Sequence, residues 1–244
     1  MRLNDIRGRV AVITGASSGI GEASARVLAA EGVKVVLVAR SRGKIEALAT
    51  EIGSDCLAVP ADVGDPIQVS SVFDRVQKRF GGVDLLFNNA GLGYHGVFAD
   101  SDPSQWKTMI DVNIFGVLHC TRAAIPMMRG REGAMISTVS SVGGRHGLEG
   151  WSVYNATKFA VVGFHDALRK ELGPEGIRVS LIEPGAVYTQ WGYNVPADAM
   201  RERRDKLNAL HAEDIANALL FAFAQPSNVN CQEMLIMPTR QTYP

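Results

Sequence analysis

The chain has 244 residues, 46% of them hydrophobic, which is typical of a globular protein with one substantial core. Its 25 Lys and Arg residues balance 25 Asp and Glu residues, so nothing in the net charge favours nucleic acid or an anionic membrane as a partner. The longest apolar runs, such as 218–224, are far shorter than the roughly 18 residues that a membrane helix needs.

The start of the chain and the cysteine pattern predict the cellular compartment of the protein. Residues 1–10 are polar and lead straight into a predicted strand, with no signal peptide. The three cysteines, Cys56, Cys120 and Cys231, are far apart and show no metal-binding or C-x-x-C spacing. We therefore expect a cytoplasmic protein with three buried free thiols and no metal site.

Apolar runs and helix-forming stretches alternate along the whole chain. Strands are predicted at 10–14, 33–39, 56–61, 83–88, 134–139, 178–183 and 233–237. Helices are predicted at 22–30, 44–52, 66–80, 104–128, 152–172 and 212–224. This alternation predicts the α/β class. We expect a single Rossmann-like, doubly wound domain over residues 1–244, with about seven parallel strands and helices on both faces of the sheet.

The first predicted strand ends in a glycine-rich turn that leads into the first helix. Gly15 permits a tight turn, Gly19 lets the backbone approach a pyrophosphate, and Gly21 allows the helix to pack close to the strand. The spacing is G-x-x-x-G-x-G, not the common G-x-G-x-x-G, and a turn without a ligand is the alternative. Its place between the first strand and the first helix favours a nucleotide site.

Arg40 directly follows the second predicted strand. Sites for NAD usually carry an acidic residue near this place, where it holds the ribose 2′-hydroxyl. A guanidinium suits a 2′-phosphate instead, although a solvated arginine at a strand end is the alternative. We therefore predict NADP as the cofactor and keep NAD as the second choice.

Small and polar residues follow the remaining strands, so they should meet at the same edge of the sheet. Asp62 and Val63 could hold an adenine, although a helix-capping role would also explain Asp62. The tetrapeptide 88–91 could let backbone pass beneath a cofactor, or it could be an ordinary turn. Val187 and Thr189 could fix a carboxamide.

Tyr154 and Lys158 lie four residues apart and therefore share one face of a predicted helix. A nearby ammonium lowers the pKa of a phenol from its ordinary value near ~10. Tyr154 could then exchange a proton with a carbonyl or carbinol oxygen, which Ser141 could also contact. Asn113 lies inside a predicted helix, where a buried amide must be satisfied, for example through a water. The alternative is that Tyr154 and Lys158 belong to an ordinary helix surface.

In order and spacing, the motifs TGASSGIG, DV, NNAG, a helical Asn, Ser, YNATK and PGAVYT resemble those of the short-chain dehydrogenase/reductase family over nearly the whole chain. The resemblance implies hydride transfer between NADP(H) and a carbonyl or secondary alcohol, with Tyr154 as the acid or base. Lys158 would lower the Tyr154 pKa and hold the nicotinamide ribose. Ser141 would orient the substrate carbonyl, and Asn113 would hold a water that links Lys158 to solvent.

The same resemblance assigns the cofactor-binding residues and no metal ligand. Those at the phosphates and adenosine would be Gly15, Ser17, Ser18, Ile20, Gly21, Arg40, Asp62 and Val63. Those at the ribose and nicotinamide would be Asn89, Ala90, Gly91, Tyr154, Lys158, Pro184, Gly185, Val187 and Thr189. Relatives that use NADP often carry a basic residue where Ser18 stands, so the NADP prediction rests on Arg40. A homo-oligomer, tetramer or dimer, is also implied.

The substrate would meet the loops. Segment 185–210 carries Tyr188, Trp191 and Tyr193, and is predicted to be either a substrate lid or a partly helical surface segment with its aromatics packed inward. Loops 92–98 and 145–151 are expected to form the other walls. The cations of the segment, Arg201, Arg203, Arg204 and Lys206, are expected to form a solvated helix face.

The substrate itself is a small carbonyl compound or alcohol whose identity stays open. The closing residues 237–241 resemble those of a subgroup that acts on small hydroxy acids or aldehydes. An NAD-dependent alcohol dehydrogenase and a dinucleotide-binding sensor without catalysis are alternative functions. An epimerase or dehydratase would share Tyr154 and Lys158, but such enzymes usually have an added substrate domain for which this chain has little room.

Overall fold

A single parallel sheet of seven strands forms the centre of the computed structural model, which describes residues 4–189 and 191–242. The strands are β1 (Val10–Thr14), β2 (Lys34–Ala39), β3 (Cys56–Pro60), β4 (Leu85–Asn88), β5 (Met135–Val139), β6 (Arg178–Pro184) and β7 (Glu233–Ile236). Their order is β3-β2-β1-β4-β5-β6-β7. The predicted fold class is confirmed. Strand order reverses between β1 and β4, which places a crevice at their carboxyl ends.

Helices cover both faces of this sheet. They are α1 (Gly19–Ala30), α2 (Arg42–Ile52), α3 (Pro66–Phe80), α4 (Pro103–Ile110), α5 (Gly116–Met128), α6 (Ser152–Leu172), α7 (Ala197–Leu207) and α8 (Ala212–Phe223). Apolar side chains of α1, α2 and α8 form one core cluster, and those of α3, α5 and α6 contribute to another on the opposite face.

Strand β1 shows why the predicted strands are uninterrupted apolar runs. Val10 and Val12 join one core cluster, whereas Ala11 and Ile13 join the other, and all four are almost inaccessible to solvent. Successive side chains of a strand point to opposite faces of the sheet, so a sheet covered on both faces needs apolar residues at every position. Burying each valine or isoleucine contributes about 1.5–3 kcal/mol to folding.

The predicted long helix 104–128 is confirmed as one uninterrupted helical segment, but its middle turn, Asp111–Phe115, is π-helical and divides it into α4 and α5. Asn113 lies inside this turn and is 1% exposed. Its Oδ1 accepts from the Leu92 backbone N–H at 2.9 Å, while Nδ2 donates to the Leu92 carbonyl at 2.8 Å and the Thr157 hydroxyl at 3.0 Å. These three bonds hold the amide inward, and the wider turn accommodates it.

The cysteine prediction is correct only in part. All three thiols are free, but only Cys120 is buried, whereas Cys56 and Cys231 are partly exposed. Burial raises the pKa of Cys120 to about 12 and that of Cys56 to about 11, so both remain neutral thiols at physiological pH.

Within residues 4–189 and 191–242, no cluster of three metal-ligating side chains occurs, and no helix combines the length and apolarity needed to span a membrane.

We expect His165 to make the fold sensitive to acid. This residue of α6 is 2% exposed, and burial lowers its pKa to about 4, partly offset by the bond from Nδ1 to the Val161 carbonyl. Between pH 6.5 and 4 the unfolded chain therefore binds a proton at His165 that the folded chain does not. Stability should fall through this window by about 3 kcal/mol in total.

The measurement is urea unfolding of the wild type and of His165→Asn between pH 7 and 4.5. Asparagine keeps a donor for the Val161 carbonyl but does not titrate. The difference in unfolding free energy between the two proteins should shift in favour of the variant as the pH falls. Parallel pH profiles would contradict the assignment.

Candidate active site

A cavity of about 490 Å³ runs along the carboxyl edge of the sheet, where β1 and β4 adjoin. It brings together the predicted residues Gly15, Ser17, Ser18, Ile20, Arg40, Asp62, Val63, Asn89, Ala90, Gly91, Ser141, Tyr154, Lys158, Pro184, Gly185, Val187 and Thr189. Gly21 and Asn113 do not line it; both lie behind its wall. Residues from six strand ends thus meet in one place.

The glycine turn forms a tight cradle at one wall of this cavity. Gly15 has a φ of +64°, and a Cβ there would lie 2.8 Å from the Ala90 Cα. A Cβ at Gly21 would lie 2.4 Å from the Gly15 carbonyl oxygen. The Thr14 hydroxyl accepts the backbone N–H groups of Asn89 and Ala90, each at 3.0 Å, and so joins the turn to the end of β4. Only glycine fits the two crowded positions.

The amino terminus of α1 opens into the same cradle. Its N-cap residue Ser18 makes no side-chain capping bond, so the hydroxyl and the first N–H groups of the helix are available to a ligand. The helix dipole adds positive potential at this end. A cradle of backbone N–H groups that excludes any Cβ fits the phosphates of a dinucleotide.

The far end of the cavity is cationic. Arg40 is 62% exposed and its Nη1 lies 3.9 Å from Asp62 Oδ2, while Asp62 Oδ1 accepts the Gly64 N–H at 2.9 Å. Ser41 and Lys44 line this end as well, and the sequence reasoning missed both. Lys44 could have been found, because it lies in the first turn of α2, four residues after Arg40.

Ser141, Tyr154 and Lys158 meet at the other end. The Ser141 hydroxyl accepts the Gly143 N–H at 3.0 Å, and both this hydroxyl and the ring of Tyr154 lie against Gly143. Lys158 Nζ donates to the Val139 carbonyl at 2.7 Å and lies 5.8 Å from the centre of the Tyr154 ring. Both Tyr154 and Lys158 are 6% exposed, yet both line the cavity. The helical spacing thus places both on one face.

Burial decides the protonation of this pair. It raises the pKa of Tyr154 to about 12, an effect that the neighbouring Ser141 hydroxyl reduces, and it lowers the pKa of Lys158 to about 8. The helical spacing of Tyr154 and Lys158 predicts a lowered pKa for Tyr154. Here desolvation of the phenolate dominates, because the lysine ammonium is directed at a carbonyl and not at the phenol oxygen. At neutral pH the phenol keeps its proton and can act as a donor.

Asn155 holds the loop that carries Ser141, a role that the sequence reasoning did not assign. Its Nδ2 donates to the carbonyls of Gly143 at 2.6 Å and His146 at 3.0 Å, and its Oδ1 accepts the Leu148 N–H at 3.0 Å. The residue beside the predicted phenol therefore fixes the loop opposite it. The signal was present in the YNATK motif, because a polar amide between two catalytic candidates needs partners.

Gly91 leaves a small space between Asn113 and Lys158. A Cβ there would lie 3.5 Å from Asn113 Oδ1 and 3.7 Å from Lys158 Nζ. Both Nδ2 protons of Asn113 already bond to protein oxygens. A water at Asn113 would therefore have to donate its hydrogen bond to an oxygen of this residue. The water stays a prediction.

Aromatic side chains cover the phenol from the solvent side. Trp191 stacks on Trp151 with ring centres 5.3 Å apart and lies 4.8 Å from the Tyr154 ring centre. Tyr193 stacks on Tyr94 at 5.0 Å, which joins segment 185–210 to the loop after β4. The segment contains helix α7 and has Trp191 packed inward. Leu92, Leu148 and Trp151, from the two predicted loops, also line the cavity.

The predicted solvated cationic face is wrong for Arg204. Arg201 is exposed and pairs with Asp198 at 2.7 Å, as expected of a surface residue. Arg204 is half-buried and lines the cavity, and burial lowers its pKa. The side chain of Arg203 lies outside the described residues.

Gln241, near the end of the chain, supports the turn after β6. It is 7% exposed and lines the cavity, and its Oε1 accepts the Ala186 N–H at 2.8 Å. A Cβ at Gly185 would lie 2.6 Å from that same oxygen, so the two segments are in close contact. In the sequence, residues 237–241 show only a resemblance to a subgroup of the family, and this supporting role has no local signal.

Replacing Gln241 with Leu should lower the unfolding free energy by about 1 to 3 kcal/mol, because the Ala186 N–H then loses its acceptor in a part-buried place. Gln241→Glu keeps an oxygen at this position and should retain most of the stability. Thr242→Val, at the exposed neighbour, serves as the control in urea unfolding. Equal stability of the Leu and Val variants would contradict this role.

Residues 9–199 match the family model described as short chain dehydrogenase. The sheet order and the polar cavity at the β1/β4 edge are those of a dinucleotide-type α/β enzyme. The chain belongs to the short-chain dehydrogenase family of oxidoreductases.

Known proteins share both sequence and fold with this chain. It is 38% identical over 233 residues to an uncharacterized oxidoreductase of Staphylococcus aureus strain MW2. The aligned residues cover 94% of this chain and 97% of that protein. A serine dehydrogenase in its closed form with NADP⁺ has a TM-score of 0.92 at 29% identity and covers 96% of each chain. A 3-ketoacyl-(acyl-carrier-protein) reductase of Brucella melitensis complexed with NADH has a TM-score of 0.86 at 33% identity, covering 96% of this chain and 99% of that one.

Proposed function

We propose that this protein is an NADP(H)-dependent oxidoreductase that interconverts a carbonyl compound and the corresponding secondary alcohol. The observation that carries the proposal is the position of the Tyr154 phenol, which lies beside Ser141 and lines the same cavity as the glycine cradle. A group that donates a proton thus shares one cavity with a site that fits a dinucleotide. Structural relatives complexed with NADP⁺ and with NADH support a nicotinamide cofactor.

The residues divide the chemistry among them. A bound nicotinamide would supply or accept the hydride. Ser141 would orient the carbonyl oxygen, and Tyr154 would give that oxygen a proton in reduction or accept it back in oxidation. Proton transfer of this kind typically accelerates the reaction by a factor of ~10²–10⁴. Lys158, whose pKa burial lowers to about 8, would hold positive charge beside the phenolate and return a proton from solvent along the side of Gly91.

The adenosine end supports NADP over NAD. Arg40 and Lys44 place two cations on the cavity wall after β2, whereas a carboxylate would be expected there for NAD. A guanidinium can hold a phosphate with two parallel hydrogen bonds. The other predicted contacts, from Gly15 to Thr189, would hold the remainder of the cofactor, and residues 1–244 would act as one dinucleotide-binding domain.

The substrate end supports a small or flat carbonyl compound. Trp151 and Trp191 narrow the approach to the Tyr154 hydroxyl, and segment 185–210 would act as a lid that closes over the substrate. Side chains of this kind contribute apolar contact and exclude water. No metal, nucleic acid or membrane takes part in the proposed reaction, which would occur in the cytoplasm.

Exposed apolar residues support assembly into a homo-oligomer, either a tetramer or a dimer. Phe115 and Phe159 are 46% and 47% exposed, beside α5 and on α6, and Phe221 of α8 is 41% exposed. Leu235 of β7, at the edge of the sheet, is 50% exposed. These residues lie on the long helices and on the last helix and strand, the surfaces where the family resemblance places contacts between subunits.

The test is a screen of aldehydes, ketones and 2- or 3-oxo acids, with NADPH consumption as the readout. Turnover of at least one compound, and recovery of the secondary alcohol or primary alcohol, supports the proposal. Quenching of NADPH fluorescence without turnover of any compound would support a sensor instead. Faster turnover with NADH would favour the NAD-dependent alternative.

A further inference from the structure

Arg204 of α7 differs from the other described cations on its helix. Arg201 is exposed and paired with Asp198, whereas Arg204 is half-buried and lines the main cavity. It also lines a second groove next to the glycine turn. One guanidinium therefore reaches both openings from the lid side.

The second groove lies between the start of α1, α2 and α7. Its walls include Ser18, Gly19, Lys44, Thr189 and Arg204. Gly19 and Thr189 are in direct contact, since a Cβ at Gly19 would lie 3.0 Å from the Thr189 Cγ2. The free N–H groups of α1, Lys44 and Arg204 contribute positive potential here, while the two carboxylates of the groove, Glu22 and Glu51, are each paired with Arg26 at 2.7 Å. The substrate-side aromatics Trp151 and Trp191 do not line this groove.

The partners of Arg204 leave its charge uncompensated. Its hydrogen bond within the described residues is a weak one at 3.5 Å, from Nη2 to the Trp191 carbonyl. Within the described part of the chain it forms no ion pair with a carboxylate, and the neighbouring Asp205 accepts the Tyr188 hydroxyl at 2.8 Å instead. Burial lowers the Arg204 pKa, which shows that the charged form is partly desolvated. A half-buried cation in this state is stabilised by an anionic ligand.

We propose that Arg204 binds the diphosphate bridge of the dinucleotide from the lid side, opposite the amino terminus of α1. This inference rests on the proposed function. The diphosphate is favoured over the 2′-phosphate because Arg204 shares its groove with Gly19 and Thr189, whereas Arg40, the predicted 2′-phosphate residue, does not line that groove. It is favoured over a substrate carboxylate because Trp191 stands between α7 and the phenol.

The arrangement links cofactor binding to the lid. Helix α7 belongs to the segment that also carries Trp191 over Tyr154. When Arg204 binds the diphosphate, it would draw α7 and Trp191 towards the glycine turn, so the dinucleotide would help to form the substrate wall. By linkage, a ligand that lacks the diphosphate should not stabilise this closed position.

The experiment measures dissociation constants of NADPH, NADH, ADP-ribose and AMP for the wild type, Arg204→Gln, Arg204→Lys and Arg40→Gln, with Arg201→Gln as the matched control. We expect Arg204→Gln to raise the dissociation constants of NADPH, NADH and ADP-ribose by about tenfold or more, as for loss of a charge-assisted hydrogen bond. AMP, which has no diphosphate, should bind equally well. Arg204→Lys should retain part of the affinity that Arg204→Gln loses. Arg40→Gln should weaken the binding of NADPH alone.

Other results would overturn the inference. If Arg204→Gln behaves like Arg201→Gln with all four ligands, Arg204 does not contact the cofactor. If it weakens NADPH but not NADH, it binds the 2′-phosphate. If cofactor binding is unchanged while KM rises for oxo acids only, it binds a substrate carboxylate. Failure of the wild type to bind either NADPH or NADH would reject the proposed function itself. Unfolding temperatures of all variants should agree with the wild type.

Discussion

Replacing Tyr154 with Phe should reduce kcat by about 10²–10⁴, the contribution expected from a general acid. Phenylalanine keeps the ring that packs against Trp151 and Trp191, so the fold and the cavity should persist. The dissociation constant of NADPH should change little, because the proposed cofactor contacts of the cradle remain. The measurement is kcat and KM for the best substrate of the screen.

The matched control is Tyr193→Phe. Tyr193 lies on the same cavity wall and is 49% exposed, with its ring stacked on Tyr94. Loss of its hydroxyl should leave kcat within about twofold, because this ring is half-exposed and packs against Tyr94, not against Tyr154. If Tyr154→Phe turned over at the wild-type rate, the proton-donor role would be excluded. If both variants lost activity equally, the effect would belong to the aromatic wall and not to the acid.

Replacing Arg40 with Gln should lower kcat/KM for NADPH by about 10- to 100-fold and leave that for NADH nearly unchanged. The estimate is that of one or two charge-assisted hydrogen bonds to a phosphate. Because the Arg40 side chain is 62% exposed, salt should screen the interaction, and the effect should shrink at high ionic strength. Lys44→Gln should show the same selectivity with a smaller magnitude.

Arg42→Gln provides the control for Arg40. Arg42 is 69% exposed at the start of α2 and pairs with Glu46 at 3.2 Å, away from the cavity. It carries the same charge two residues further along, so a general electrostatic effect would appear in both variants. A wild type that prefers NADH, or an Arg40→Gln variant that loses both cofactors equally, would contradict the 2′-phosphate assignment.

The pKa values show how tertiary structure alters a prediction made from spacing. The four-residue spacing along α6 is enough to place Tyr154 and Lys158 on one face of the helix. The direction of the pKa shift, however, depends on the groups that surround the two side chains. The surrounding side chains bury the phenol, and the lysine bonds to the Val139 carbonyl, so burial raises the Tyr154 pKa to about 12. The cofactor ribose, if bound as proposed, would place further polar groups beside this pair.

The amino-acid sequence by itself determined the sheet, the glycine turn and the Tyr154–Lys158 pair. Each is a local pattern: strands are short apolar runs, Gly15 meets the steric need of its own turn, and helical periodicity aligns the phenol with the ammonium. Only the tertiary structure decided the π turn at Asn113, the inward position of Arg204 and the bond between Gln241 and Ala186. Gln241 and Ala186 are 55 residues apart, and local propensity carries no information about partners at such a distance.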